Sequence, residues 1–540
     1  MERLKNPFLL VVLAGLLLGI SWPPYNFLPG LFVGFVPLLY LIHIKIGTWK
    51  TCRFFPWLFL SFAIFNGIAQ WWVACIEGVW SAKILGFLSP ILVNGLMMSF
   101  TVMAFIFIKK KIGNKLTDWS FIFIWCAMEY LHAMDWDLSW PWMFLGNGLA
   151  DFPWLYQFYE YTGATGGTFF VLWVNLAFYK AFSFWMEKNP QGAKAHLMNG
   201  LLKFSGIVII SLILMGKDQQ GDEVQVRIVQ PNFDPYEEKF DRSYEAEQMK
   251  QVYHQSFDNL PAETKLIVYP ETVLPYGGWE EEFESNEWYQ TLNRGLQNRP
   301  DLGLIIGAAT YKKVDEPIPS SIPLSYRKMR DGTYYEAFNS TVFATYNEFE
   351  IYHKSRLVAG AEAMPFASYL EVLKELALKL GGTSGVLGTQ EERTVFQHNE
   401  MKICGVICYE ADYGTYTTEF IRNGANLLSV ITNDAWWQDS PGYQQHLSYA
   451  RLRAVENRRH VVRSANTGIS CIIDQKGNLI SPTHFNEKAV VDGKVLLNNE
   501  LTFYSQFGDI IGRLSLVIVV FFFLMSFMKK YKESVSVLRK

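Results

Sequence analysis

Eight apolar segments decide most of what this chain can fold into. Seven crowd the first part of the chain, at about 7–22, 28–44, 54–75, 84–108, 118–134, 166–186 and 200–216, and the eighth lies at 508–528. A transmembrane helix needs about 20 mainly apolar residues, so most of these qualify, the first and seventh marginally. The first also fits the core of a cleaved signal peptide, but no small-x-small site follows, and Ser21-Trp22-Pro23-Pro24 is a poor place to cut. Composition points the same way. Of 540 residues, 50% are hydrophobic and only 18% charged, against about 25% charged in an average soluble protein. A net charge of −3 argues against a nucleic-acid binder, for which a basic field is expected.

The loops between these segments differ in charge. Seventeen Lys and Arg residues fall on one side, namely Arg3 and Lys5, the loops at 45–53, 109–115 and 180–194, and the tail beyond 528. The short loops of the other side contribute only Lys83. The positive-inside rule therefore predicts both termini in the cytoplasm and the long segment between the seventh and eighth spans outside it. Three parts follow: a seven-helix bundle at 1–216, an extracytoplasmic domain at 217–507, and a last helix with a cytoplasmic tail at 508–540. The outside loop 135–165, with Trp136, Trp140 and Trp142, reads as an aromatic belt at the membrane surface or as part of a lipid-holding cavity.

Beyond Gly216 the composition becomes that of a soluble domain. Strand-like runs at 224–230, 265–269, 303–308, 340–345, 403–409, 427–432 and 469–473 alternate with helix-compatible stretches at 243–259, 281–297, 369–380, 416–423 and 445–457. Such alternation predicts a layered α/β domain. There is no Walker loop, G-x-G-x-x-G, H-E-x-x-H or G-x-S-x-G, and the histidines lack metal-ligand spacing. Of six cysteines, Cys52, Cys75 and Cys126 lie in apolar stretches, where a thiol is usually a small buried hydrophobe. The other three, Cys404, Cys408 and Cys471, fall in the polar part, and an odd number argues against a complete disulfide framework. Cys404 and Cys408 share an expected strand, roughly 13 Å apart, too far to bridge.

Three stretches place a reactive side chain after a strand-like run: Val268-Tyr269-Pro270-Glu271, Tyr352-His353-Lys354-Ser355, and Val406-Ile407-Cys408-Tyr409-Glu410. Taken singly, each has a bland reading: a solvated acid, a surface lysine, an inert core thiol. Together and in this order they resemble the Glu-Lys-Cys triad of the nitrilase (carbon–nitrogen hydrolase) superfamily. The stretches Thr432-Asn433-Asp434-Ala435-Trp436-Trp437, Gln445-His446, Arg453-Ala454-Val455-Glu456-Asn457, Arg463-Ser464-Ala465-Asn466-Thr467-Gly468 and Gln230-Pro231-Asn232 are more specific. With eight spans around the domain, they resemble the apolipoprotein N-acyltransferases, the membrane-bound branch of that superfamily, across essentially the whole chain. Two departures stand out. After the lysine the family commonly reads Val-Pro-Phe-Gly-Glu, where this chain has Val358-Ala359-Gly360-Ala361-Glu362. The family's Trp after the first-strand motif is replaced by Phe240, which keeps an apolar surface but loses the indole N–H.

The resemblance implies a polytopic α-helical membrane bundle of about eight spans plus an α/β nitrilase-like αββα sandwich domain. It implies a catalytic triad of Glu271, Lys354 and Cys408, with Glu362, Tyr409, Glu410 and Phe240 supporting or binding substrate. The activity implied is N-acylation of the diacylglyceryl-cysteine of apolipoproteins from a phospholipid acyl donor, through a Cys408 thioester, without cofactor or metal. The setting implied is the bacterial inner membrane, with membrane lipids as surroundings and the protein a monomer. Three other readings remain: a membrane-tethered nitrilase-type amidase that releases the acyl group to water, a transporter using an ionisable residue such as Glu129 within a span, and a catalytically dead lipoprotein-binding relative.

Overall fold

The computed structural model describes residues 5–77, 80–113, 116–315, 318–319, 322–363, 366 and 386–538. The chain divides into two compact units, one of Met1–Ala74, Ile84–Lys217 and Phe507–Lys540, the other of Cys75–Lys83 and Asp218–Gln506.

The first unit is helical. Among the described residues, six segments are long and apolar enough to cross a membrane: Leu28–Lys45, Thr51–Ala69, Lys83–Ile112, Tyr159–Met186, Pro190–Met215 and Ile510–Met528. The other two expected spans are shorter. Pro7–Gly19 has 13 residues and is capped by the Asn6 side chain, which accepts from the Phe8 and Leu9 amides. Thr117–His132 has 16. The seventh span is no marginal helix: it begins at Pro190, well before the expected 200, because Asn189 caps it and a proline at the first helical position costs no backbone bond. Glu129, the acid a transporter would need, is instead held in place by three donors, Trp125 Nε1 at 3.0 Å, the Leu145 amide at 2.8 Å and the Thr168 hydroxyl at 2.6 Å. In the 135–165 loop, Trp142 is buried and its ring lies 4.9 Å from that of Trp72, so that residue packs inward rather than forming a surface belt.

The second unit is a two-sheet sandwich. Its strands in chain order are β1 (Asp222–Gln230), β2 (Thr264–Val268), β3 (Leu274–Trp279), β4 (Gly303–Lys313), β5 (Arg327–Lys328), β6 (Tyr334–Thr345), β7 (Glu348–His353), β8 (Phe396–His398), β9 (Met401–Ile407), β10 (Leu427–Thr432), β11 (Val461–Ala465), β12 (Cys471–Ile473), β13 (Leu479–Ile480) and β14 (Ala489–Leu497). One sheet runs β14-β1-β2-β4-β6-β5, with β3 also on β4 and β7 on β6; the other runs β13-β12-β11-β10-β9-β8. Parallel pairs at β1–β2, β2–β4, β9–β10 and β10–β11 need crossovers. The helices Glu245–Phe257, Glu287–Leu296, Gly414–Arg422 and Pro441–Asn457 lie in those connections. The first two bury Val252, Trp288, Leu292 and Leu296 against Ile267, Leu304, Ile306 and Val342 of the first sheet. Between the sheets, Ser464 donates to the Val229 carbonyl at 2.8 Å and Thr341 to the Gly405 carbonyl at 3.2 Å. A Cβ on Gly405 would meet Thr341 Cγ2 at 2.2 Å, so glycine lets the sheets close three residues before Cys408. This is the αββα architecture. The expected helix at 369–380 lies outside the described residues. Cys408 does not end a straight strand: β9 stops at Ile407, and a 3-10 turn, Cys408–Asp412, takes over.

Candidate active site

Three strand ends deliver the three reactive side chains. Glu271 follows β2 through Tyr269-Pro270, and Lys354 follows β7; both belong to the first sheet. Cys408 follows β9 in the second. Pro270 cannot donate to a ladder, so it releases the chain just before the acid. Across the sandwich the carboxylate of Glu271 accepts three bonds: from Asn339 Nδ2 at 2.7 Å, from Lys354 Nζ at 3.4 Å, and at its other oxygen from the Asn433 amide at 3.0 Å.

Lys354 also donates to Glu362 Oε1 at 2.8 Å, and its amide bonds the Asn339 carbonyl at 2.8 Å. Burial works against its charge, but the carboxylates of Glu362 and Glu271 outweigh that and raise its pKa. It is therefore a fixed cation at neutral pH. Glu362 uses its second oxygen to accept from the Val358 amide at 2.8 Å. The altered family loop thus closes on itself and still aims its acid at Lys354.

Cys408 is 8% exposed and sits at φ +48°, a left-handed conformation that non-glycine residues rarely adopt. Burial pushes its thiol well above the ordinary range; the charge of Glu271 adds to this, and that of Lys354 opposes it. A protonated thiol near an acid and a permanent cation is an arrangement that can serve as a nucleophile once a base takes its proton. Both flanks of the turn are held. Glu410 accepts from the Tyr352 hydroxyl at 2.7 Å, the Tyr416 hydroxyl at 2.6 Å, the Ser355 amide at 2.7 Å and the Ile407 amide at 2.9 Å. One buried carboxylate so joins the residue after Lys354 to the residue before Cys408. Behind Cys408, His446 Nε2 donates to its carbonyl at 3.2 Å. His446 Nδ1 bonds Asp434 at 2.9 Å, and Asp434 pairs with Arg463 at 2.7 Å. Burial opposes charge on His446, but the bond to Asp434 wins and raises its pKa.

Glu271, Lys354, Cys408, Glu362 and Glu410 thus come together. Tyr409 is buried, its hydroxyl accepting from that of Tyr413 at 3.1 Å. Phe240 is 45% exposed, with its ring stacked 6.1 Å from that of Trp436. Asn339 and Lys239 were not singled out from the sequence. Asn339 bridges Glu271 and Glu362, donating to the latter at 3.1 Å. Its signal was a lone amide inside the apolar run of β6. Lys239 is fully buried and donates to the Glu271 carbonyl at 2.9 Å. It follows two glutamates and so reads as part of a solvated stretch.

Residues 225–499 match the family model for carbon–nitrogen hydrolases. The chain belongs to the carbon–nitrogen hydrolase family. Residues 14–177 match the apolipoprotein N-acyltransferase N-terminal domain, which places the chain in the membrane-bound acyltransferase branch of that family. Relatives are similar over nearly the whole length. The apolipoprotein N-acyltransferase of Chlorobaculum tepidum is 28% identical, covering 95% of each chain. Apolipoprotein N-acyltransferase 1 of Treponema denticola is 26% identical over 96% of this chain and 97% of its own. The apolipoprotein N-acyltransferase of Rickettsia prowazekii is 26% identical over 95% and 97%. The chain is accordingly an acyltransferase, and a bacterial membrane protein.

Proposed function

We propose that this carbon–nitrogen hydrolase family member N-acylates the diacylglyceryl-cysteine of apolipoproteins, taking its acyl group from a phospholipid through a thioester on Cys408. The observation that carries the reading is the buried thiol of Cys408 in the field of the Glu271–Lys354 ion pair. In the first half-reaction Glu271 takes the thiol proton and the sulfur attacks the sn-1 ester carbonyl. Lys354 stabilises the tetrahedral oxyanion, a charge that develops only toward the transition state. The C–O bond breaks, and the leaving alkoxide takes the proton from Glu271 and departs as lysophospholipid. In the second, the lipoprotein α-amine attacks the thioester carbonyl and Glu271 takes its proton. The C–S bond breaks, and the proton returns to sulfur. Splitting one transfer into two steps is the gain of covalent catalysis. Glu362 and Asn339 orient Lys354 and Glu271; Glu410 and Tyr409 hold the turn of the nucleophile; Phe240 offers an apolar contact to an acyl chain.

The same reading places both termini in the cytoplasm, residues 217–507 in the periplasm, and the protein in the bacterial inner membrane as a monomer. A membrane bundle suits lipid substrates, whose chains resist leaving the bilayer by about 0.8 kcal/mol per buried CH₂.

The test is mass spectrometry of the full-length protein incubated with phospholipid and no acceptor. A hydroxylamine-sensitive acyl mass on the Cys408 peptide, absent in Cys408→Ala, is expected, and a diacylated lipopeptide should then receive it at its N-terminus. Release to water at the same rate with and without lipopeptide would make the protein a hydrolase rather than a transferase. An absent adduct would remove the acyl-enzyme.

A further inference from the structure

Lys239 is hard to account for as a structural residue. Its side chain is fully buried, and among the described residues its one hydrogen bond is the 2.9 Å donation to the Glu271 carbonyl. A lysine carries three donors, and burying an ammonium with one hydrogen-bond acceptor and only the Phe240 ring, 5.7 Å away, beside it is costly. Burial pushes the amine down to about 7, against a weaker pull from the Glu271 charge. A methionine of similar volume would fill the same space without that cost. What only a hydrogen-bonding side chain can do there is reach the main chain of the base.

That main chain needs holding. The residue after Glu271, Thr272, sits at φ +47°, a genuine outlier for a β-branched side chain. The carbonyl that Lys239 holds belongs to the peptide leading into that strained residue. The same lysine adjoins Phe240, whose ring is stacked on Trp436. Trp436 in turn lies three residues beyond Asn433, whose amide donates to the Glu271 carboxylate. The two partners of the aromatic pair thus lead back to one acid, Phe240 through Lys239 at its carbonyl and Trp436 through Asn433 at its carboxylate. Tyr236 joins the pair, its hydroxyl donating to the Trp436 carbonyl at 2.9 Å.

We propose that Lys239 is a positioning residue for the general base: it clamps the Glu271 carbonyl, holds the strained Glu271–Thr272 turn in register, and ties the base to the Phe240–Trp436 pair. The assignment rests on the acyl-enzyme reading above, in which Glu271 must meet the Cys408 thiol in line. It links the half-buried Trp436 and the exposed Phe240 to the acid that starts the chemistry.

The experiment compares wild type, Lys239→Met and Lys239→Gln as full-length protein in phospholipid vesicles. It reads the single-turnover rate of Cys408 acylation, its dependence on phospholipid concentration, and the thermal midpoint. The expected result for Lys239→Met is a fall of about 10- to 100-fold in the limiting rate, the order set by misplacing a catalytic group. Half-saturation by phospholipid should be unchanged, and the thermal midpoint should be equal or higher. Lys239→Gln keeps a donor and should recover part of the rate; it also serves as the test if the methionine variant does not accumulate. A methionine variant with the wild-type rate would overturn the assignment. So would rate and thermal midpoint falling together in both variants, which is what a packing role produces. A wild type that forms no thioester would instead overturn the acyl-enzyme reading itself, and Lys239 with it.

Discussion

Gly307 is a sharp place to perturb the base without touching it. It lies on β4, paired with Thr341 of β6, and its bare Cα faces the segment that carries Glu271. A Cβ there would meet the Pro270 carbonyl oxygen at 2.3 Å, Glu271 Cα at 2.6 Å and the Thr272 nitrogen at 2.6 Å. All three are backbone atoms, so no rotamer change relieves them. Ordinary contact begins at 3.4 Å, so in Gly307→Ala the base segment must retreat by about 0.8–1.1 Å, the differences between those distances. Hydrogen bonds of 2.7 and 3.0 Å from Asn339 and Asn433 do not survive a full ångström of stretch. Overpacking costs about 1–3 kcal/mol of stability, which a domain of this size can absorb. A misplacement of about 1 Å costs on the order of 100-fold in rate, or about 2.7 kcal/mol of barrier. The assay is the single-turnover rate of Cys408 acylation, with Gly303→Ala as control. Gly303 lies on the same strand, but its Cβ would press on ring atoms of Phe343 at 2.9 and 3.0 Å, and a side chain can shift. The expected outcome is about a 100-fold loss for Gly307→Ala and less than about 3-fold for Gly303→Ala. A folded Gly307→Ala protein that acylates at the wild-type rate would refute the claim that the backbone of Glu271 fixes the alignment.

Two further outcomes follow from the buried acids. Glu410→Gln turns one oxygen into a donor facing either the Ile407 amide or the three donors on the other oxygen; an unsatisfied buried donor costs about 1–3 kcal/mol. A drop of about 5 °C in the thermal midpoint, with slower acylation, is expected. Asp412 is buried, and neither of its carboxylate oxygens has a hydrogen-bond partner among the described residues; burial pushes its pKa up to about 7, His446 and Arg453 opposing. Because the folded value lies above the unfolded one of about 3.9, its contribution to stability is full below about pH 4 and is lost as pH rises through 7. Asp412→Asn should therefore flatten thermal midpoints measured between pH 4 and 8, and an unchanged slope would show that Asp412 does not titrate there.

What could be read from the sequence divides by range. The bundle was legible because hydropathy is a local property: the span expected at 118–134 is the helix Thr117–His132, even with Asp118, Glu129 and His132 inside it. Seven strand-like runs foreshadowed the sandwich, whereas the short strands β5, β8 and β13 have too few residues to show a period. The site was legible only through resemblance, since each of its residues alone has a commoner bland reading. Neither Asn339 nor Gly307 could be found that way, because their partners are 68 residues away in Glu271 and 37 residues away in Pro270. Lys239 was hidden by parity: the sequence drew attention to Phe240, and the structure exposes Phe240 and buries its neighbour.

The deepest departure from the sequence reading concerns backbone shape. The sequence pattern predicts a strand-end cysteine at 408 and a strand-end glutamate at 271. Instead a left-handed residue follows each strand, Cys408 at φ +48° directly after β9 and Thr272 at φ +47° just past Glu271, beyond the end of β2. Each such residue costs about 1–2 kcal/mol and persists only where its surroundings over-determine it. Here they do. The Cys408 turn is bonded on one side by Glu410 and on the other by His446, and the Glu271 turn by Lys239 and Asn433. A regular strand end would send successive side chains to alternate faces; a left-handed exit turns the chain sharply. The acid and the thiol can then face one another across the sandwich while their strands stay in register. The charged residues around the triad are in this sense the groups that hold two strained turns, and that is why so many of them are buried.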